Sequence, residues 1–376
     1  MGQLKFNGKE IITGSGTLSF VEQLKGERFF ITTGFSAMFK NGTIGKIEAM
    51  MEKNNKAYEI YSGIGANPTT EEVEKGRSAM AKFNPDVVIA VGGGSAIDAT
   101  KVMCLLCDDE TITLEAIRSG KAPQERKNIT LVAIPSTSGT AAEVTRAAVI
   151  TYEKEQIKIG LKNYAFIPDY AILDGDLTLS MPKHVVVETG MDALTHALES
   201  LINKNANNFT MPISYGAAEG ILKWLPESVE KGDLNSRQQV HDFQALAGMA
   251  FQNAGLGMSH GIAHSFGGVF GTAHGLLNAV ALPVVLRYNA QDPVVKERLD
   301  VLSNRIGEDV IEKIEAMNKA FGVPKTFLEM GIKEEDYIKD YDLLLANSLL
   351  GSTLKNPIKM DAEKMAVVLK TLVYGE

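Results

Sequence analysis

Cysteine, tryptophan and proline are scarce in this 376-residue chain, at two, one and 12 residues. Two cysteines, Cys104 and Cys107, cannot build a disulfide framework, which predicts a reducing, cytoplasmic compartment. Their C-x-x-C spacing reads either as a redox pair or as two helix thiols, and the apolar run Lys-Val-Met-Cys-Leu-Leu-Cys favours buried thiols without chemistry. Few prolines, 45% hydrophobic and 22% charged residues exclude a disordered or low-complexity chain. Long hydrophobic runs are missing as well. Nothing approaches the roughly 20 residues that cross a bilayer, and the longest stretch, around Ala279–Leu286, contains Pro283. There is no excess of positive charge: 38 Lys+Arg against 46 Asp+Glu leave −8, which argues against nucleic acid or an anionic membrane as partner. The start, Met1-Gly2-Gln3-Leu4-Lys5-Phe6, has neither a secretion pattern nor a myristoylation signal.

What is present is a change of texture along the chain. Up to about residue 180, short β-branched runs alternate with amphipathic stretches: Phe29–Thr33 before Gly34, Val87–Val91 before a glycine triplet, Thr130–Ile134 before Pro135, and Tyr170–Leu173 before Asp174. Near-continuous apolar strands followed by helices predict a parallel sheet covered on both faces. After Met181 the runs are helical, as in Met211–Trp224, Arg237–Gln252 and Asp309–Phe321. The expected division is an α/β domain over 1–180 and an all-helical domain over 181–376, packed around a cleft.

Val87–Val91 runs into Gly92-Gly93-Gly94-Ser95-Ala96-Ile97-Asp98, a strand, glycine turn and helix start. Backbone N–H groups at such a helix start approach a phosphate closely where glycine has no Cβ, and the helix dipole favours the negative charge. The run departs from G-x-G-x-x-G, because Ile97 stands three residues after Gly94, and a tight turn with Ser95 as N-cap fits it as well. A second loop, Pro135-Ser136-Thr137-Ser138-Gly139-Thr140, also follows an apolar strand and offers hydroxyls. Two such loops at the carboxyl ends of parallel strands define the usual ligand crevice of open α/β sheets.

Histidine is rare, six in all, yet His260, His264 and His274 fall within fifteen positions rich in glycine, and His196 follows Asp192 by four. Asp192 and His196 share a helix face within reach of one ion, although such a pair alone also fits an ordinary surface interaction. On one straight helix His260 and His274 would lie ~21 Å apart at ~1.5 Å per residue, so Gly267, Gly268 and Gly271 are the expected breaks that return His274 to His260. Imidazoles and a carboxylate suit Fe²⁺ or Zn²⁺ and do not decide between them.

At these residues the sequence resembles the iron-containing (group III) alcohol dehydrogenases. Gly257, His260, Ala263, His264, Gly267, His274 and Gly275 fit the family's G-x-x-H-x-x-A-H-x-x-G-x(5)-P-H-G segment, with Ala273 in place of proline, which would loosen the loop before His274. Gly190–Glu199 fits its G-M-D-A-L-T-H-A-x-E run, and Gly92–Lys101 and Pro135–Thr145 fit its nucleotide-domain motifs. The resemblance covers nearly the whole chain. It implies a Rossmann-like N-terminal domain and an all-α C-terminal domain in a dehydroquinate synthase-like architecture, with nicotinamide and metal facing each other. It further implies Asp192, His196, His260 and His274 as metal ligands and His264 beside them, either as proton relay or as packing. The cofactor residues it implies are Gly93, Gly94, Ser95, Asp98, Ser136, Thr137, Thr140 and Lys158, with an exposed strand lysine the other reading of Lys158.

The activity implied is hydride transfer between NAD(P)H and a small aldehyde or primary alcohol, its oxygen polarised by Fe²⁺ or alternatively Zn²⁺. NAD-preferring relatives carry an aspartate where Gly34 stands here. With Ser36 nearby as a donor, NADP(H) is expected over NAD(H), an ordinary strand-end glycine being the alternative. Ala147 and Phe251 match substrate-lining positions. Arg146 either meets an anionic tail, as in a sulfo-, phosphono- or carboxy-aldehyde, or is simply solvated. The competing readings are a glycerol dehydrogenase-like enzyme, a dehydroquinate synthase-like lyase and a non-enzymatic interaction protein. A homodimer is expected from the resemblance.

Overall fold

The computed structural model describes residues 3–155 and 157–375, so the Met1-Gly2 start read above lies outside it. The described residues form eight strands: β1 (Glu10–Thr13), β2 (Arg28–Thr33), β3 (Ala57–Ser62), β4 (Val87–Gly92), β5 (Thr130–Pro135), β6 (Ala147–Tyr152), β7 (Ile157–Lys162) and β8 (Tyr170–Leu173). Six of them make one parallel sheet in the order β1-β8-β5-β4-β2-β3, while β6 and β7 pair antiparallel as a separate hairpin. Five helices accompany them: α1 (Ala37–Lys40), α2 (Thr43–Lys53), α3 (Thr70–Phe83), α4 (Gly94–Asp108) and α5 (Leu114–Arg118).

The period-two alternation of the central strands sorts their side chains onto two faces. Phe30, Val88 and Leu131 pack with Val73 and Met80 of α3 and Val102 of α4. Phe29, Ile31, Val87, Ile89, Val132 and Ile134 pack with Ile44, Ile47 and Met51 of α2 on the other. Each such buried side chain contributes roughly 1.5–3 kcal/mol, which is why β2, β4 and β5 read as continuous apolar runs. Their register pairs Thr33 with Val91 and Gly92 with Pro135, so the loops after these three strands leave from one edge of the sheet.

From Pro182 onward the structure is helical: α6 (Lys183–Ile202), α7 (Thr210–Glu230), α8 (Leu234–Ala254), α9 (Met258–Phe270), α10 (His274–Asn289), α11 (Pro293–Ile306), α12 (Val310–Phe321), α13 (Glu334–Ser348) and α14 (Ala362–Tyr374). Two compact units result, Met1–Met181 with Asp233–Ala245, and Pro182–Gly232 with Leu246–Glu376. A division at residues 180 and 181 therefore misassigns the first half of α8. The cause is polar: Gln238 donates to the Leu173 carbonyl at 3.0 Å and accepts from the Gly175 N–H at 2.7 Å, at the carboxyl end of β8. Among the described residues no helix is long and apolar enough to cross a membrane.

Candidate cofactor loops and metal centre

In the sheet unit the two loops singled out in the sequence touch each other. Thr137 stands 3.7 Å from where a Cβ on Gly93 would sit, and Thr140 Oγ1 2.6 Å from a Cβ on Gly94. Glycine at 94 is thus what lets the hydroxyl loop lie against the helix start. The helix begins at Gly94 with Gly93 as its cap, so Ser95 is not the N-cap, and its hydroxyl donates instead to the Ala66 carbonyl at 2.5 Å. Ser136 is buried and its N–H donates to the Gly92 carbonyl at 2.9 Å.

One turn into α4, Asp98 accepts from the Val149 N–H at 2.9 Å, and the fully buried Lys101 donates to the Ala147 carbonyl at 2.7 Å, 3.4 Å from Asp98. These two side chains pin the start of β6, and with it Ala147, to the helix that begins at the glycine turn. Gly34 follows β2 directly, and Ser36 precedes α1 without capping it through its side chain. Lys158 is exposed on β7, opposite Thr151. Arg146 lays its guanidinium over the Tyr164 ring at 4.7 Å.

The histidine cluster is assembled wholly inside the helical unit. Asp192, His196 and Glu199 recur along α6 at spacings that keep them on one face; α6 packs on α10, and Glu199 reaches the start of α9. The break between His264 and His274 comes at Gly271 alone, in a left-handed conformation that ends α9; Gly267 and Gly268 remain helical. Ala273 then precedes α10 with φ −57°, inside the range proline imposes, so its replacement of proline leaves the backbone where proline would hold it. Gly275 allows α6 and α10 to touch backbone to backbone, since a Cβ there would strike the Glu188 carbonyl.

These turns bring the imidazoles together. His196 stacks on His260 at 4.6 Å between centroids, His260 lies 5.3 Å from His274, and His264 stacks on His274 at 4.9 Å. Phe251 covers the other face of the group, 4.4 Å from the His196 ring. Ligand atoms of Asp192, His260 and His274 all lie within 4.8 Å of one another. Burial alone would raise the Asp192 carboxyl, but the neighbouring imidazoles of His196, His274 and His260 hold it well below the usual carboxylate range.

Two residues that the sequence reading left without a role complete the cluster. Glu199 accepts the Gly257 N–H at 3.0 Å, the Ser259 N–H at 2.6 Å and the His260 Nδ1–H at 2.7 Å, so it caps α9 and fixes the imidazole tautomer together. Asn278 donates to Asp192 at 2.8 Å and stands 3.1 Å from His274 Nε2. The available signals were spacings only: Glu199 seven residues after Asp192, and Asn278 four after His274. Burial would lower the His260 pKa, but Asp192 and Glu199 outweigh it and raise it to about 9, so the pocket is one that attracts positive charge.

A divalent cation fits this donor set. With Nδ1 committed to Glu199, His260 Nε2 is buried without a hydrogen-bond partner, 3.5 Å from the Asp192 carboxylate. An orphaned buried nitrogen is costly unless an ion takes its lone pair.

Residues 8–175 match the family model described as iron-containing alcohol dehydrogenase, and residues 186–373 match the model of the Fe-containing alcohol dehydrogenase family C-terminal region. The chain is 34% identical over 377 residues to an NADPH-dependent butanol dehydrogenase of Clostridium saccharobutylicum, covering 98% of this chain and 97% of the relative. It is also 34% identical to the 1-propanol dehydrogenase PduQ of Salmonella typhimurium, covering 96% and 98%. Among solved structures, an iron-containing alcohol dehydrogenase from Thermococcus thioreducens superimposes with a TM-score of 0.91 at 31% identity, over 100% of both chains.

Proposed function

Because this chain belongs to the iron-containing alcohol dehydrogenase family, we propose that it interconverts a short aliphatic aldehyde and its primary alcohol, with NADP(H) preferred and Fe²⁺, alternatively Zn²⁺, as its metal. It is an oxidoreductase of the alcohol dehydrogenase class. The observation that carries the metal assignment is the free Nε2 of His260, held toward Asp192 by the bond from Nδ1 to Glu199. Asp192, His196, His260 and His274 would hold the ion. When bound, it supplies Lewis-acid polarisation of the substrate oxygen while the nicotinamide carries the hydride.

The chain's own residues do the rest. Glu199 keeps His260 in one tautomer, and Asn278 orients Asp192 and His274. Phe251 shields the His196 face from water. His264, stacked on His274, would carry a proton between the cluster and solvent, packing being its other role. In the sheet unit, Gly93, Gly94 and Ser95 begin a helix whose N-terminus favours a diphosphate, and Asp98, Ser136, Thr137, Thr140 and Lys158 complete the cofactor set. Gly34 and Ser36 support NADP(H), because no carboxylate stands at the end of β2 to repel a 2′-phosphate. The butanol dehydrogenase relative, named as NADPH-dependent, supports the same preference. Within the helical unit, Phe251 beside His196 is the residue that would line the substrate.

The test is consumption of NADPH and of NADH with a panel of short aldehydes after anaerobic loading with Fe²⁺ or Zn²⁺. Higher kcat/KM with NADPH and linear aldehydes is the expected result. A strong NADH preference would end the cofactor assignment, and turnover confined to anionic aldehydes would end the substrate assignment.

A further inference from the structure

Three non-glycine residues adopt positive φ among the described residues, and two of them, Asn55 and Asn84, are asparagines, which tolerate it. The third is Ala141, at φ 52° and ψ 30°, directly after the hydroxyl loop. Alanine has no polar group with which to offset that conformation, so something outside it must hold it there. The holder is Gln244. Its Oε1 accepts the Ala141 N–H at 2.9 Å, and its Nε2 donates to Glu143 Oε1 at 2.5 Å, with all three residues buried.

Both ends of one amide are therefore committed to the same short segment. One helical turn earlier on the same face of α8, His241 Nδ1 lies 2.9 Å from Ser138 Oγ. The loop is thus tied to α8 at 138, 141 and 143, and its hydroxyl Thr140, an acceptor for the Ala142 N–H at 3.3 Å, is the group packed on Gly94. Release of Ala141 into the ordinary right-handed or extended region would turn the chain just after Thr140 and carry that hydroxyl away from the glycine turn.

We infer that Gln244 is a positioning residue for the nicotinamide cofactor: by holding Ala141 left-handed and tethering Glu143, it sets Thr137 and Thr140 against Gly93 and Gly94 where the cofactor binds. The inference rests on the reading that these loops bind NAD(P)H. Gln244 bonds to the Ala141 N–H and to Glu143 rather than to the hydroxyls of Thr137 or Thr140, so its effect is on cofactor affinity through the backbone of 141.

The experiment is a fluorescence titration of the full-length, metal-loaded chain with NADPH, alongside metal content, Tm and the aldehyde KM. Gln244→Met keeps the size and removes both hydrogen bonds; it is expected to weaken NADPH binding about tenfold while metal content and aldehyde KM stay at wild-type values. Adding Ala141→Gly, which makes the left-handed conformation free of steric cost, is expected to restore most of that loss. Should Gln244→Met not fold, Gln244→Glu carries the test, since it retains an acceptor for Ala141 and loses the donor to Glu143; a severalfold loss is expected. Unchanged NADPH affinity in either variant, or a loss that Ala141→Gly leaves in place, overturns the inference. Failure of the wild-type chain to bind either NADPH or NADH would instead overturn the cofactor reading beneath it.

Discussion

At Asp192, His260 and His274 every functional atom belongs to a side chain, and an acceptor or donor on Glu199 or Asn278 orients it. At the ends of β4 and β5 the hydroxyls of Ser95 and Ser138 are already engaged within the protein, and what distinguishes the region is how closely two stretches of backbone approach at Gly93 and Gly94. The difference teaches where each region is vulnerable. If the proposed roles hold, the metal centre would be most sensitive to losing a side chain, and the cofactor loops to gaining an atom.

The largest effect should follow from His260→Ala. Metal content falls, and kcat/KM for the aldehyde drops about a thousandfold or more, the worth of several kcal/mol of lost polarisation. Metal analysis with an NADPH consumption assay checks both, and a parallel NADPH titration sharpens the comparison: retained affinity separates the two regions, and a coupled loss joins them. Next comes Glu199→Gln, which keeps the shape of the side chain and weakens its hold on His260 Nδ1. Metal affinity, measured by chelator competition, is expected to fall about 10–100-fold, and full retention would mean that the tautomer is fixed by something else.

A matched pair of glycine substitutions is smaller and compares the regions directly. Gly275→Ala drives a methyl into the Glu188 backbone and should cost about 1–3 kcal/mol, read as a lowered Tm together with lost metal. Gly94→Ala meets a Thr140 side chain that can yield, so its Tm should fall less and its NADPH affinity more. The reverse pattern would break the distinction between a rigid centre and an adjustable loop. The smallest change is Ala273→Pro: φ is already −57°, so a gain of about 0.4–1 kcal/mol is expected in thermal unfolding.

Much of this was legible in the residues because the informative ones are either rare or fully buried. Val87–Gly92 has no exposed position and reads as a central parallel strand at once. Ala57–Ser62 and the β6–β7 hairpin lie at an edge or apart from the main sheet, mix exposed positions with half-buried or buried ones, and give a weak apolar signal. Histidine is scarce enough that four in two segments stand out, whereas glutamate and asparagine are common on helices, so Glu199 and Asn278 became visible only as partners. The pair Cys104 and Cys107 proved to be thiols on one helix, with burial pushing Cys107 up to about 11 and Cys104 higher still. The assignment of Asp233–Ala245 to the sheet unit had no sequence signal, because helical periodicity does not say which neighbour a helix packs against.

The most direct measurement is anomalous diffraction at the iron edge from crystals grown with Fe²⁺ under anaerobic conditions. One peak is predicted, bonded to Asp192, His196, His260 through Nε2, and His274, with Glu199 still on His260 Nδ1. A peak elsewhere in the chain, or an ion bonded to Nδ1 of His260 with Glu199 displaced, would contradict it.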